Sequence, residues 1–341
     1  MAAFIKAIEY ELPNGQLTNQ ELAYEFPEWS VEKIEQKTGI RIRRVSAENE
    51  CASDLGVRAV EKLFSSGVCD REQIDYLLLC TQSPDFLLPS TSCIMQDRLR
   101  LRKTCGALDF NLGCSGYVYG LGLAKGLVET GQAENVLLIT AETYSKHIHQ
   151  GDKSVRTLFG DAAAATLIQS NSSGESKTYI GPFVYGTDGS GSSNLIIPAG
   201  GMRLPCSVET SITIEDANGN TRSLDNLYMN GSEIFTFTLN AVPKAINKLL
   251  LAANRNLGEI DLFVFHQANK FMLDYLRKKI RIDNEKFYVS FKNYGNTVSS
   301  TIPLALKDAY LDNKLHKDDL VMIVGFGVGY SWAATLVRWV V

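Results

Sequence analysis

Residues 107–131, ALDFNLGCSGYVYGLGLAKGLVETG, place a cysteine between glycines at the point where a short apolar strand gives way to a long helix. The strand covers residues 107–111 and the helix runs from about Ser115. Glycine has a low helix propensity, and this helix is rich in glycine and alanine. Because its intrinsic stability is poor, the helix must be buried in order to form. The stretch therefore predicts a buried helix with Cys114 at its beginning.

Cys114 has two interpretations at this position. A helix start offers unpaired backbone N–H groups and the positive end of the helix dipole, which favour a thiolate and predict a nucleophile. Cysteine is also among the residues most often buried, so Cys114 could be a small core residue. The stretch taken alone does not choose between them.

Short apolar runs alternate with segments of helical periodicity along the chain. In the first part these runs cover residues 76–81, 107–111, 135–143 and 163–169. In the second part a long helix at 233–253 containing Pro243, a strand at 261–265, a helix at 269–280 and paired strands at 319–325 and 332–340 are expected. This alternation predicts an α/β fold in which helices cover parallel sheets.

The polar segment NSSGESK that follows Ser170 is the best candidate for a boundary. We therefore divide the chain into a half at residues 1–170 and a half at residues 171–341. Both halves contain a strand, a tight turn and a covering helix, which indicates a duplicated unit.

Composition excludes several classes of protein. The 341 residues are 45% hydrophobic and 21% charged with a net charge of -4, which does not suggest a nucleic-acid-binding protein. No apolar span of about 18 residues predicts a membrane helix, and the N-terminus does not resemble a secretory signal. The seven cysteines form no metal-ligand spacing, and their odd number is typical of reduced thiols in the cytoplasm.

Two further stretches favour the catalytic interpretation of Cys114. In FVFHQANKFMLDYL, His266 follows an apolar strand directly, at the kind of position where active sites of α/β proteins lie. In FKNYGNTVSSTIPLAL, Asn296 lies in a glycine-containing turn before a helix. Cysteine, histidine and asparagine together can supply a nucleophile, a proton acceptor or donor, and an oriented hydrogen-bond donor.

The chain resembles the β-ketoacyl-acyl carrier protein synthase III family of the thiolase superfamily. The likeness extends over nearly the whole chain, in the order of the family's motifs. The motifs are TGIRIRR (38–44), PSTSCIMQDRL (89–99), GCSGYVYGLGLAKGLVETG (113–131), FGDAAAATLI (159–168), TDGSGSSNLIIPAGG (187–201), FHQAN (265–269), NYGNTVSS (293–300) and GFGVGYSWAA (325–334).

The resemblance implies a thiolase-like fold of two similar halves in a five-layered α-β-α-β-α arrangement, and a homodimer. It assigns the nucleophile to Cys114, with His266 and Asn296 as the other catalytic residues. An acyl thioester acylates Cys114, and malonyl-acyl carrier protein then loses CO2 and condenses with the acyl group. His266 Nε2 and the Asn296 amide are the expected donors to the enolate oxygen. The backbone N–H groups of Cys114 and Val328 form the expected oxyanion hole.

The resemblance also implies the substrates and partners. Coenzyme A or acyl carrier protein thioesters are the substrates, with no permanently bound cofactor and no metal. Leu88 corresponds to the residue that reaches across the dimer to close the acyl pocket, and Lys270 and Arg277 are candidates for docking an acidic carrier protein. Lys33 occupies the position where family members that use coenzyme A carry a tryptophan, and Trp29 lies one helical turn earlier.

Two other functions remain open from the sequence. The protein could pass the acyl group from Cys114 to an oxygen or nitrogen acceptor without decarboxylation, with His266 as the general base. It could also be a non-catalytic partner subunit of a ketosynthase, although such a subunit needs none of the three catalytic side chains.

Overall fold

A computed structural model describes residues 1–171 and 179–340. Most of the NSSGESK segment, at which the sequence divides into two halves, lies outside the described residues. The chain before that segment builds one sheet with its helices, and the chain after it contributes the strands of another.

The strands and helices follow one another in the order that the apolar runs predict. The strands are β1 (Ala2–Glu11), β2 (Gly15–Thr18), β3 (Ile42–Val45), β4 (Tyr76–Cys80), β5 (Gly106–Phe110), β6 (Asn135–Glu142), β7 (Ala162–Asn171), β8 (Ile180–Thr187), β9 (Leu195–Ile196), β10 (Ile214–Glu215), β11 (Thr221–Arg222), β12 (Tyr228–Met229), β13 (Leu262–Phe265), β14 (Phe287–Tyr288), β15 (Leu320–Gly327) and β16 (Ser331–Arg338). The helices are α1 (Asn19–Glu25), α2 (Val31–Thr38), α3 (Ala52–Ser65), α4 (Thr91–Arg98), α5 (Gly116–Glu129), α6 (Lys153–Arg156), α7 (Gly231–Ala253), α8 (Lys270–Ile280) and α9 (Thr301–Leu311).

Two five-stranded sheets form the framework of the molecule. The first has the strand order β1-β7-β6-β4-β5 and the second has the order β14-β13-β15-β16-β8. Each sheet is mixed, because β4 pairs in parallel with β5 and β6, and β13 with β14 and β15, whereas the remaining strand pairs are antiparallel. The prediction of parallel sheets is therefore correct for β4, β5 and β6 and for β13, β14 and β15, and it is wrong for the antiparallel pairs. The β15–β16 hairpin needs no helical crossover, which is why it joins the sheet antiparallel.

Helices α5 and α9 form a layer between the two sheets. Side chains of α5 such as Tyr117 and Leu121 belong to one buried cluster with Leu138 of the first sheet and Ile323 of the second. Helices α3 and α4 cover the other face of the first sheet, and α7 and α8 cover the other face of the second. The α-β-α-β-α arrangement implied by the resemblance is confirmed.

Two details differ from the sequence prediction. Strand β1 at the N-terminus was not predicted, yet it pairs along most of its length with β7 and buries Ala3, Ile5 and Ile8. Proline ordinarily breaks a helix, yet α7 (Gly231–Ala253) is not split at Pro243.

The structure also bears on membrane-spanning helices, metal sites and disulfide bonds. Over residues 1–171 and 179–340, none of the helices has the length and apolar character needed to cross a membrane, and no group of three His, Cys, Asp or Glu side chains could hold a metal ion. All seven cysteines are free thiols.

Two glycines of α5 allow a matched test of its close packing. A Cβ atom at Gly116 would overlap the sulfur of the buried Cys80, whereas a Cβ at Gly126 has no neighbour within 4 Å. We expect Gly116→Ala to lower the free energy of unfolding by about 1–3 kcal/mol through overpacking. Gly126→Ala should leave it unchanged or raise it by up to about 1 kcal/mol, because alanine has the higher helix propensity. Urea denaturation measures both, and equal stability of the two variants would contradict the tight packing at Gly116.

Candidate active site

Cys114 lies in the short connection between β5 and α5, with a side chain that is 4% exposed. Two glycines of β15 allow this approach. A Cβ atom at Gly327 would lie 2.8 Å from the Cys114 Cβ and 3.0 Å from its sulfur, and a Cβ at Gly325 would lie 3.0 Å from the Cys114 carbonyl oxygen. The GFGVG turn is glycine-rich because the nucleophile candidate packs directly against its main chain.

The pKa of the Cys114 thiol differs from the sequence prediction. Burial, with a smaller contribution from the buried Glu142 carboxyl, raises this pKa to about 12. Hydrogen bonds from the backbone N–H groups of Cys114 and Val328 lower the pKa, but by less than burial raises it. The expectation that the helix start favours a resting thiolate was therefore wrong, because loss of hydration outweighs the local dipoles.

The same two N–H groups lie beside the Cys114 sulfur, where an acyl carbonyl oxygen would be placed by attack of that sulfur. Val328 belongs to the turn between β15 and β16, and its side chain packs close to Gly113, where a Cβ would lie 2.7 Å from Val328 Cγ1. This geometry suits an oxyanion hole formed by backbone donors from two different parts of the chain.

His266 follows the last residue of β13 and is 3% exposed. Its Nδ1 lies 2.8 Å from Thr301 Oγ1, and its ring packs edge-on against Phe326 at 5.4 Å between centroids. Burial lowers the pKa of His266 to about 3, so the imidazole is neutral at physiological pH.

Asn296 is held by both its main chain and its side chain. Its backbone N–H donates to the Leu158 carbonyl at 2.8 Å, and its carbonyl accepts from the Gly160 N–H at 3.0 Å. The side-chain Oδ1 accepts the Val298 N–H at 3.0 Å. Because Oδ1 is occupied in this way, the amide Nδ2 is the branch that can donate a hydrogen bond to a ligand.

Cys114, His266 and Asn296 line one cavity of about 70 Å³. The rest of its lining is mostly apolar and comes from both sequence halves. These neighbours include Phe159, Leu195, Met229, Ile234, Met272 and Phe326. The structure thus brings together three residues that lie far apart in the chain.

The other predicted site residues lie outside this cavity. Leu88 is 82% exposed and does not line the cavity of its own chain. Lys270 lies on the surface and forms an ion pair with Asp274. Arg277 is half-buried and donates to the Ile282 carbonyl at 3.2 Å, near the end of α8.

Glu142 is a buried residue near the site that the sequence analysis missed. Its carboxylate accepts hydrogen bonds from the Ser299 hydroxyl at 2.7 Å, the Gln82 N–H at 3.0 Å and the Ser83 hydroxyl at 3.3 Å. Burial raises the pKa of Glu142 to about 8. An acid at the end of the apolar run 135–143 is the signal that could have identified it, because a carboxyl in such a strand needs buried partners.

Lys33, which the sequence analysis singles out together with Trp29, lies close to the Trp29 ring in the structure. The ammonium groups of Lys33 and Lys37 lie 5.3 Å and 5.0 Å from the centre of the Trp29 ring. Lys153 forms an ion pair with Glu28, the residue before Trp29. The Trp29 ring therefore lies just before α2, and two lysine ammonium groups of that helix are close to it.

The chain is similar to known proteins over nearly its whole length. Residues 108–189 match the family model for 3-oxoacyl-[acyl-carrier-protein] synthase III, and residues 250–339 match the model for its C-terminal part. The chain is 40% identical to the β-ketoacyl-[acyl-carrier-protein] synthase III of Clostridioides difficile over 91% of this chain and 90% of the relative. It is 35% identical to the protein of the same name from Caldanaerobacter subterraneus over 99% of this chain and 98% of the relative. A crystal structure of a 3-oxoacyl-(acyl-carrier-protein) synthase III is 52% identical, with a TM-score of 0.98 over 99% of this chain and 100% of the other.

The raised pKa of Cys114 predicts how the thiol reacts with iodoacetamide. The thiolate is the reactive form, so alkylation should rise by roughly tenfold for each pH unit from about pH 6 to about pH 10 without levelling off. Peptide mass spectrometry measures the rate at Cys114, and the exposed Cys93 serves as the internal reference. A plateau of the Cys114 rate near neutral pH would contradict the protonated resting thiol.

Proposed function

Because the chain belongs to the 3-oxoacyl-[acyl-carrier-protein] synthase III family, we propose that it is a condensing acyltransferase with Cys114 as its nucleophile. An acyl thioester acylates Cys114, and malonyl-acyl carrier protein then condenses with the acyl group to give a 3-oxoacyl thioester. The single observation that supports this function best is the apolar cavity shared by Cys114, His266 and Asn296.

The first half of the reaction is transfer of the acyl group to sulfur. Cys114 Sγ attacks the thioester carbonyl carbon, and the carbonyl oxygen becomes an oxyanion that the N–H groups of Cys114 and Val328 stabilise. The C–S bond of the donor then breaks, and the donor leaves as a free thiol with the proton that Cys114 released when its sulfur attacked. The acyl group remains on Cys114.

The second half is decarboxylation and carbon–carbon bond formation. When malonyl thioester loses CO2, the electron pair moves onto the thioester oxygen as an enolate. The Asn296 Nδ2–H and a proton on His266 Nε2 stabilise that charge, and they act strongly because the cavity excludes water. The enolate carbon attacks the acyl carbonyl, and Cys114 leaves as a thiolate. The reaction as written needs no permanently bound cofactor or metal.

The amide of Asn296 favours condensation over the two alternatives. Acyl transfer to an oxygen or nitrogen acceptor needs a base near the acceptor but gives no reason for a fixed neutral donor beside it. A non-catalytic partner subunit gives no reason for a buried cysteine with two backbone N–H groups at its sulfur. The positions of Asn296 and Cys114 therefore support the condensing function.

The source of the acyl group belongs to the same proposal. The Trp29 ring and the Lys33 and Lys37 ammonium groups could hold the base and phosphates of coenzyme A, although this arrangement departs from the family's pattern. The exposed Lys270 fits a role in docking an acidic carrier protein. Arg277 fits such a role less well, because its guanidinium donates to the Ile282 carbonyl just after α8.

We also propose a homodimer formed through the free edge of β5. This strand is the last in its sheet, and Leu108 in it is 44% exposed. The neighbouring connection exposes Phe86, Leu87 and Leu88. Association of two copies along this edge would cover these side chains, and Leu88 would then be available to close the partner's acyl pocket.

Two measurements on the intact protein test the condensing function. Incubation with a series of acyl-coenzyme A and acyl-carrier thioesters should add one acyl mass, which Cys114→Ala should abolish. Addition of malonyl-acyl carrier protein should then release CO2 and give a 3-oxoacyl product, seen by mass spectrometry. Acylation without CO2 release would refute condensation, and an acyl mass on Cys114→Ala would place the nucleophile elsewhere.

Asn296→Asp is the matched control for the second half of the reaction. This variant keeps the shape of the side chain but replaces the Nδ2 donor by a carboxylate oxygen. We expect it to lower product formation by roughly 10²–10³-fold, while acylation of Cys114 continues. Equal losses in both steps would contradict the enolate-donor role.

A charge on the β5 edge tests the dimer. We expect Leu108→Lys to shift the sedimentation coefficient from that of a dimer to that of a monomer, because a lysine in the interface would bury an unpaired charge. Leu251→Lys is the control, because Leu251 is exposed on α7 away from this edge. A monomeric wild-type protein, or a Leu108→Lys protein that remains dimeric, would refute the interface.

A further inference from the structure

A completely buried arginine lies beside the candidate site. Arg43 of β3 has 0% of its surface exposed. Its Nε–H donates to the Thr157 carbonyl at 2.8 Å, and its Nη1 group donates to Asn19 Oδ1. Within the described parts of the chain, its Nη2 group is buried without a hydrogen-bond partner. Both hydrogen bonds of this guanidinium therefore go to neutral acceptors.

The charge of Arg43 has no carboxylate to compensate it. Over residues 1–171 and 179–340, no acidic side chain forms an ion pair with this guanidinium, and burial alone lowers its pKa, to about 9. The guanidinium thus stays protonated near neutral pH. Burial of an unpaired charge is costly in free energy, and an apolar side chain of similar volume fills such a space without that cost. Folding alone therefore gives no reason for a positive charge at this position.

Arg43 packs against the segment that carries Asn296. Gly295 has a φ of 78°, and a Cβ atom there would lie 3.1 Å from Arg43 Cγ. Thr157, whose carbonyl accepts from Arg43, is followed by Leu158. The Leu158 carbonyl in turn accepts the Asn296 N–H at 2.8 Å. Arg43 thus contacts the residue before Asn296 and also the residue before its hydrogen-bond partner.

These contacts bring the guanidinium to one side of the cavity. Asn296 lines the cavity together with Cys114, and its carbonyl accepts from the Gly160 N–H at 3.0 Å. None of the hydrogen bonds of Arg43 goes to Cys114 or Val328, whose N–H groups form the expected oxyanion hole. The influence of Arg43 is therefore directed at the Asn296 side of the cavity.

We propose that Arg43 is a positioning residue for decarboxylation, which holds the Asn296 segment in place and whose buried positive charge favours the negative charge of the enolate beside Asn296. This inference rests on the proposed function, because it concerns the second half of that reaction. An apolar surrounding screens a fixed charge much less than water does, so a charge that does not touch the substrate still stabilises an anion nearby. Arg43 neither gives up nor receives a proton, so the bonds that form and break are those of the decarboxylation itself.

Arg43→Met removes the charge and keeps a side chain of similar length. We expect release of CO2 per acylated molecule to fall by roughly tenfold to a hundredfold. Acylation of Cys114 should stay within about threefold of wild type, because the oxyanion of that step is stabilised by backbone N–H groups that Arg43 does not contact. Intact-mass measurement gives the rate of acylation, and trapping of labelled CO2 from malonyl-acyl carrier protein gives the rate of decarboxylation.

Arg43→Lys tests the charge separately from the shape of the side chain. Lysine keeps a positive charge but lacks the planar fork of the guanidinium. The variants are compared at about pH 6, because a buried lysine keeps its proton best at acidic pH. We expect Arg43→Lys to release CO2 at least about fivefold faster than Arg43→Met. If the side chain only filled space, the two variants would be equally slow.

Arg41→Met is the matched control for the loss of a charge. Arg41 lies two positions earlier, and its side chain is 55% exposed in an ion pair with Glu35. Water screens a charge at such a surface position, so both rates should stay within about twofold of wild type. Urea denaturation shows whether each variant is folded. If Arg43→Met does not fold, Arg43→Gln replaces it, because glutamine is neutral and keeps an N–H donor.

An unchanged rate of CO2 release in the folded neutral variant would overturn the inference. Equal losses in both half-reactions, or equal rates in the neutral and lysine variants, would overturn it as well. These results are distinct from a failure of the proposed function, which would appear as absent CO2 release in the wild-type protein.

Discussion

The beginning of α5 is buried between two sheets, and this burial limits the size of the side chains around the helix start. A helix in this position has neighbours on both sides, so it tolerates only small side chains where a strand or a loop comes close. Gly116 accommodates Cys80 on one side, and Gly325 and Gly327 of β15 accommodate Cys114 on the other. Gly116, Gly120 and Gly122 lower the intrinsic stability of α5, and they are also the positions where side chains of the two sheets come closest to it, namely those of Cys80, Leu138 and Tyr185.

This packing explains why the cavity draws its residues from distant parts of the chain. Cys114 follows β5, His266 follows β13, and Val328 lies in the hairpin that ends β15. These strand ends meet because the sheets face each other across one helical layer. The lining of the resulting cavity is mostly apolar, and an apolar surrounding strengthens the hydrogen bonds that backbone N–H groups and the Asn296 amide would donate in the proposed reaction.

Much of the fold could be predicted from the sequence because its core strands are continuous apolar runs. The predicted strand at 76–81 is β4 (Tyr76–Cys80), and the predicted strand at 261–265 is β13 (Leu262–Phe265). Strand β1 escaped prediction because its apolar residues are interrupted by Lys6 and Glu9. The antiparallel direction of β7 also escaped prediction, because periodicity reports the burial of a strand and not the direction of its neighbour.

The sequence indicates which residues form the candidate site, but it does not indicate the pKa values of those residues. Cys114, His266 and Asn296 stand out because each lies at a turn after or before a regular element. The sign of the Cys114 pKa shift depends on burial by residues far away in the chain, and no local pattern contains that information. The same holds for Glu142, whose partners Ser83 and Ser299 come from separate segments.

Glu142 has a consequence for the whole molecule that extends beyond the reaction. Burial raises its pKa from an ordinary value of 4.5 to about 8, so between these pH values the folded protein keeps a proton that the unfolded chain releases. Proton release therefore favours the unfolded chain, and this group's contribution to stability falls as the pH rises through that interval. A carboxyl paired with a cation would show the opposite dependence. The contribution of Glu142 to the free energy of unfolding is therefore larger at acidic pH than at alkaline pH.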